Sequence, residues 1–306
     1  MQTRITMPSN IALIKYMGKS DLNVNLPANT SISLTLPEYH TTCIVKSASG
    51  SHDEWINTST TPLNEKEISK ALSQITRIKQ WFQAEHIPLA ISATNNFPMS
   101  CGMASSASSM AAITMGVATY LVDHHHYSMP DLQTLAALSR QGSGSSCRSF
   151  SAPFVRWDEH GIQTTHCPID IQHRIKIISR EKKHISSSEA HQVISQSPLL
   201  KDRIHRANER ADKLFQAIQD ADWQTMQQLS IEDSKDMHAL LEANGIRYRN
   251  DDVMKTFNHL DAFCQKNPDF KPITTMDAGP NIHFLLRPED LILYETWHTQ
   301  MTMELA

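Results

Sequence analysis

Asn96-Phe97-Pro98-Met99-Ser100-Cys101-Gly102-Met103-Ala104-Ser105-Ser106-Ala107 joins two different patterns of apolar residues. Leu89-Ala90-Ile91 precedes it as part of a β-type run to Thr94. After it a helical pattern opens through Met110, Ile113, Met115 and Val117. That helix carries Ser, Ala or Met at nearly every position, which suits a buried helix. Pro98 and Gly102 break the chain between the two, and small residues and hydroxyls follow. Small residues let backbone come close to a ligand, free N–H groups at a helix start attract anions, and hydroxyls add donors or a magnesium ligand. A phosphate cradle fits this pattern, and so does a helix start packed tightly on a strand. It is not the P-loop pattern G-x-x-x-x-G-K-[ST], because no Lys closes it.

Three other segments carry similar chemistry. The first is Pro8-Ser9-Asn10-Ile11-Ala12-Leu13-Ile14-Lys15-Tyr16-Met17-Gly18-Lys19, with Asn25-Leu26-Pro27-Ala28-Asn29-Thr30-Ser31-Ile32-Ser33-Leu34 after it. The second is Arg140-Gln141-Gly142-Ser143-Gly144-Ser145-Ser146-Cys147-Arg148-Ser149, and the third is Asp277-Ala278-Gly279-Pro280-Asn281. Of only 9 glycines in 306 residues, Gly18, Gly102, Gly142, Gly144 and Gly279 lie in these segments, so glycine is concentrated where backbone turns or approaches something. Lys15 interrupts an apolar run and needs a partner, because an unpaired buried charge is costly. Arg148 follows clustered small residues, which favours a binding role over that of an ordinary surface Arg. Its planar fork can grip a carboxylate bidentately, as Lys cannot. Asp277 stands before a sharp turn, where Asp serves equally as a catalytic carboxylate or as a cap or Asx-turn.

A net charge of -4 gives no sign of a nucleic-acid partner. No apolar run approaches the roughly 18 residues of a membrane helix, and Met1-Gln2-Thr3-Arg4-Ile5-Thr6 contains no signal-peptide core. A soluble cytoplasmic protein is expected. Cys43, Cys101, Cys147, Cys167 and Cys264 are odd in number and none has C-x-x-C spacing, so reduced thiols are expected. His124-His125-His126 reads as a surface loop rather than a metal site, since adjacent side chains on a turn diverge.

Along the chain, strands are expected at 11–14, 31–36, 41–45, 89–94, 150–157, 174–179, 272–276, 282–286 and 291–294. Helices are expected from the Asn64 cap to about Phe82, after the Gly102 turn, and from a Ser128 cap with Pro130 in the first turn. A helical stretch should run over 198–244 with a break near Asp220-Ala221-Asp222 and Gly245 at its end, and another helix over about 252–265. This order suits an α+β chain of two lobes, 1–170 and 171–306, although no linker marks the boundary.

Together the four segments resemble the GHMP kinase superfamily, and within it the diphosphomevalonate decarboxylase family. That family reads N-I-A-x-I-K-Y-W-G-K, N-N-F-P-x-x-x-G-L-A-S-S-A, G-S-G-S-A-C-R-S and D-A-G-P-N in this order. Lys182-Lys183-His184-Ile185-Ser186-Ser187-Ser188, Glu232-Asp233-Ser234 and Met237-His238-Ala239 resemble further family blocks. The resemblance implies a two-lobed fold with the active site in the cleft between lobes, and a homodimer. It implies ATP-dependent decarboxylation of mevalonate 5-diphosphate to isopentenyl diphosphate, with ATP as co-substrate and Mg²⁺. Asp277, Lys15 and Arg148 would be catalytic, Lys15 pairing with Asp277. Tyr16, Lys19, Ser143, Ser145 and Arg148 would hold the substrate. Asn96, Pro98, Gly102, Ala104, Ser105 and Ser106 would hold ATP, with Ser105 or Ser106 near Mg²⁺. Met17 and Met103 stand where the family usually has Trp and Leu. Ser188-Glu189-Ala190-His191 departs further, from the usual T/R-x-G-M of a substrate-contacting region. The rivals are a 3-kinase, a decarboxylase of the monophosphate, or an inactive nucleotide-binding relative.

Overall fold

A computed structural model of the chain describes residues 1–58, 62–97, 105–179 and 185–304. Its first half is organised by β1 (Gln2–Ile14), the small hairpin β2 (Lys19–Asp21) and β3 (Leu26–Pro27), and the long β4 (Ser31–Ser47). There follow β5 (Glu54–Trp55), α1 (Glu65–Phe82), β6 (Leu89–Asn95), α2 (Ser105–His125) and α3 (Leu132–Gly142). A 3₁₀ segment (Gly144–Phe150) leads into the hairpin β7 (Phe154–Asp158) and β8 (Gly161–Thr165). The second half holds β9 (Gln172–Lys176), α4 (Ser187–Ile194), α5 (Leu200–Gln219), α6 (Trp223–Ala243) and α7 (Asp251–Lys266). It ends with β10 (Ile273–Thr275), β11 (Ile282–Leu286) and α8 (Leu291–Glu304).

β4 pairs antiparallel with β1 along one edge, and on the other edge with β7 through Ser31–Leu34 and β6 through Thr41–Ser47. The register jumps from Ser9↔Leu36 to Pro8↔His40, so Pro37, Glu38 and Tyr39 bulge out of one continuous strand. That bulge is why the sequence reads there as two strands. Because side chains alternate across a strand, the sheet buries both faces. Cys43, Val45, Ile91 and Val155 pack against α1, α2 and α3, while Ile11, Leu13, Leu34 and Phe154 pack against α5 and α6. Ile273 and Leu285 of the second sheet, ordered β10-β11-β9, join the latter core.

The caps follow sequence chemistry. Asn64 and Glu67 form a reciprocal capping box on α1, with Lys79 in the last turn. Gly245 takes φ +79° just after α6. Three expectations need correction. The cap of α3 is Asp131, whose carboxylate accepts Thr134 N–H at 2.7 Å, so Ser128 and Pro130 lie outside the helix. Phe150 ends the 3₁₀ segment rather than opening a strand. Leu291-Ile292-Leu293-Tyr294 is the first turn of α8, which buries Tyr294, Trp297 and Met301 on one side; a four-residue apolar run does not separate strand from helix. His124 and His125 end α2, and His126 turns out of it at φ +60°. Among the described residues no helix is long and apolar enough to cross a membrane, no His, Cys, Asp or Glu cluster has metal-site form, and Cys43, Cys147, Cys167 and Cys264 are free.

Candidate active site

The last residues of β1, the 3₁₀ segment and the turn after β10 converge on one point. Lys15 is 1% exposed, and its Nζ donates to Asp277 Oδ1 and to the Ala12 carbonyl, both at 2.7 Å. Its backbone N–H donates to Asp233 Oδ2 at 2.7 Å, and that carboxylate also accepts from buried Arg203 at 2.8 Å. The strand end is therefore pinned from main chain and side chain together. Burial pulls the Lys15 ammonium below the ordinary lysine range against the attraction of Asp277. For Asp277, burial opposes ionisation, but Lys15, then His283 and Arg148, outweigh it and hold the carboxyl below its usual value. The Asp277 side chain is 24% exposed, and its Oδ2 makes no hydrogen bond among the described residues. An ionised oxygen thus remains open beside a buried cation.

Arg148 is buried in the 3₁₀ segment. Nη1 donates to Ser31 Oγ at 2.7 Å, Nε lies 3.4 Å from Asn10 Oδ1, and the guanidinium sits 5.7 Å from the Trp157 ring centroid. Asn10 in turn donates to Ser149 Oγ at 2.9 Å and the Ser145 carbonyl at 3.3 Å, tying β1 to the Gly-Ser turn. The fork is fixed while Nη2 makes no hydrogen bond among the described residues, a preorganised donor for a carboxylate.

Tyr16 packs at a tilt against Trp157 and His191, with centroids 4.7 and 4.4 Å apart. A Cβ on Gly144 would come within 2.5 Å of the Tyr16 ring, so glycine is required for this approach. Lys19 Nζ donates to Asn25 Oδ1 at 2.6 Å, and Asn25 Nδ2 reaches the carbonyls of Arg140 and Gln141. Burial, then Lys70, lowers the Lys19 pKa, as expected of cations gathered where an anion would bind.

Ser106, exposed in the first turn of α2, has its Oγ 3.4 Å from that of Ser143. The helix start and the Gly-Ser turn therefore face each other. Ser105 precedes it and Ser145 lies one residue past Gly144, both half-buried. Asn96 uses its amide on the β4 backbone, donating to the Glu38 carbonyl and accepting His40 N–H, each at 2.8 Å. Pro98, Gly102 and Ala104 lie outside the described residues. The structure thus gathers Lys15, Asp277 and Arg148, joins Tyr16 and Lys19 to the Gly-Ser turn, and brings Ser106 to Ser143. Sequence reasoning assigned no role to Asn10, Asn25, Trp157 or His191. Asn10 and Asn25 stood inside quoted segments, and the signal there was a carboxamide in or beside an apolar run. Met17 is buried with Ala190, Ile194 and Met237, a packing role.

Two family models cover almost the whole chain: the diphosphomevalonate decarboxylase-like N-terminal domain over residues 7–167, and the mevalonate 5-diphosphate decarboxylase C-terminal domain over residues 174–299. The chain belongs to the diphosphomevalonate decarboxylase family. Within the family, diphosphomevalonate decarboxylase of Eremothecium gossypii is 31% identical, the alignment covering 90% of this chain and 75% of the relative. The crystal structure of a mevalonate diphosphate decarboxylase from Legionella pneumophila is 32% identical with a TM-score of 0.88, covering 98% of this chain and 97% of that one. A structure of MDDEF in complex with MVAPP, AMPPCP and magnesium shares the fold at 23% identity, with a TM-score of 0.86 and coverage of 98% and 93%. The family and fold implied by the motif resemblance are thereby established.

Proposed function

We propose that the chain catalyses ATP-dependent decarboxylation of mevalonate 5-diphosphate, giving isopentenyl diphosphate, ADP, phosphate and CO₂. The observation that carries this reading is the Lys15–Asp277 ion pair, with its open carboxylate oxygen, beside the buried guanidinium of Arg148. The 3-hydroxyl oxygen attacks the γ-phosphorus of ATP and the bond to the ADP oxygen breaks. The C3–O bond to the new phosphate then breaks as the C–C bond to the carboxylate supplies the alkene electrons. Asp277 orients the tertiary hydroxyl and takes its proton late, since that alcohol is far less acidic than a carboxylic acid. Lys15 keeps Asp277 ionised and in place. Arg148 grips the carboxylate that leaves as CO₂. Tyr16, Lys19, Ser143 and Ser145 bind the diphosphate and position the chain; such alignment is the main source of rate in phosphoryl transfer.

For ATP and Mg²⁺ the fit is chemical: the hydroxyls of Ser105 and Ser106 stand in the first described turn of a 21-residue helix, that of Ser106 facing Ser143. Ser105 and Ser106 would hold the metal, which neutralises phosphate charge when bound. Asn96, Pro98, Gly102 and Ala104 would complete the nucleotide site, Asn96 by positioning the loop through its contacts to β4. A lobe boundary near residue 170, a homodimer and a cytoplasmic location belong to the same proposal.

The double variant Ser105→Ala, Ser106→Ala should lower turnover by on the order of a hundredfold, the cost of about 1 Å of misplacement, with little change in mevalonate diphosphate affinity. Ala keeps helix propensity high, so the melting temperature should hold. Turnover at the wild-type level would remove the ATP-site assignment. The reading as a whole is tested by supplying mevalonate, its 5-phosphate and its 5-diphosphate in turn with ATP and Mg²⁺. ADP release is expected with the diphosphate; preference for the 5-phosphate would move the chain to the monophosphate rival.

A further inference from the structure

His191 lies in the segment where this sequence departs from the family pattern, at the position that usually holds Met. Its ring is buried, 6% exposed, in the last turn of α4. Nδ1 accepts the Gly18 N–H at 3.1 Å, and the ring lies against Tyr16 at 4.4 Å between centroids. Gly18 has φ +88°, a conformation that glycine alone adopts readily, and its neighbours in sequence are Met17 and Lys19. The Gly18 N–H is thus held by a side chain from a helix 173 residues away in sequence, while Asn29 Oδ1 accepts the Met17 N–H at 3.4 Å and the Gly18 carbonyl accepts the Ala28 N–H at 3.3 Å. An acceptor Nδ1 requires the proton on Nε2. Burial, then the Lys19 charge, pushes the imidazolium down to about 3, so the ring stays neutral and remains an acceptor across the working pH range.

We propose that His191 is a positioning residue for the phosphate end of the substrate, holding the Tyr16–Lys19 turn in its binding conformation by accepting the Gly18 N–H. This rests on the assignment of Tyr16 and Lys19 as diphosphate ligands. A Met side chain would offer only a weak sulfur acceptor and no ring, whereas His191 supplies both a nitrogen acceptor and a ring to the loop. Without the acceptor, the Gly18 N–H loses its partner and the turn keeps only its contacts to Asn29 and Ala28, so part of the cost of ordering it falls on substrate binding. The effect belongs in KM for the phosphorylated substrate rather than in kcat.

The test compares His191→Phe, which keeps a ring and removes the acceptor, with His191→Asn, whose Oδ1 falls near the place of Nδ1. For the Phe variant, KM for mevalonate 5-diphosphate should rise about tenfold. kcat should stay within about threefold and KM for ATP should be unchanged. Calorimetric titration with inorganic diphosphate should show the same tenfold loss, and the Asn variant should recover most of it. A merely structural role would lower the melting temperature, kcat and both affinities together, and that pattern would overturn the proposal, as would a Phe variant binding diphosphate within twofold of wild type. If the Phe variant does not fold, the Asn variant decides: diphosphate affinity within threefold of wild type supports the acceptor role, and a tenfold loss refutes it. If the wild type binds inorganic diphosphate but turns over no mevalonate phosphate, the functional reading fails while the titration still decides on His191; a wild type that binds no diphosphate ends both.

Discussion

Asp277→Asn is expected to reduce kcat by about three orders of magnitude, equivalent to ~4 kcal/mol of activation free energy, with affinities for ATP and mevalonate 5-diphosphate within a few-fold of wild type. Asn keeps the shape of the side chain and its oxygen toward Lys15, but removes the charge that orients the hydroxyl and later accepts its proton. It also takes from Lys15, 1% exposed, its ion-pair partner, so some loss of stability should accompany the loss of rate. More than a tenth of wild-type activity would show that Asp277 has been misassigned. The pH profile offers an independent check. Because Lys15 and its neighbours hold the folded carboxyl below the ordinary range, the needed anion persists to lower pH than an isolated Asp would allow. kcat should fall only as pH drops through that depressed value, and the Asn variant should lack this limb. The linked stability has the same sign: it is fully present above the unfolded pKa and is lost as pH falls through the folded one.

Arg148→Lys should be nearly as damaging as Arg148→Ala, each costing about two orders of magnitude in kcat/KM, ~3 kcal/mol. Arg148 is held by Ser31 through Nη1, by Asn10 through Nε and by the Trp157 face, and a single ammonium cannot meet the three while also gripping a carboxylate. Lys also carries a stronger hydration shell into a buried site. Steady-state kinetics on both variants, with melting temperatures as a control, check this. Full activity in the Lys variant would mean that Arg148 supplies only positive charge.

Much of this site was legible in the sequence because its residues violate local rules. Lys15 puts charge into an apolar strand, Gly144 gives up a side chain where Tyr16 must approach, and Asp277 waits at a strand end before a sharp turn. Such conflicts between pattern and residue mark function. The supporting groups were less visible. Asn10, Trp157 and His191 acquire their roles only when distant elements meet: Asn10 of β1 with Arg148 across 138 residues, Trp157 of β7 with Tyr16 across 141, and His191 of α4 with Gly18 across 173. Secondary structure failed in the same physical way. The bulge at Pro37–Tyr39 made one strand look like two, and the apolar start of α8 looked like a strand until Trp297 and Met301 extended its buried face. The helix α4 was missed although Ser186 and Glu189 form its capping box, because its eight residues contain too few apolar positions to show a period.

The most direct measurement counts ADP and CO₂ together from ¹⁴C-carboxyl mevalonate 5-diphosphate, ATP and Mg²⁺ in one reaction with the wild-type chain. One CO₂ per ADP, with the ratio unchanged as the rate falls in Asp277→Asn, is the expected result. ADP released without CO₂ would make the chain a kinase of the 3-hydroxyl and contradict the role given to Arg148.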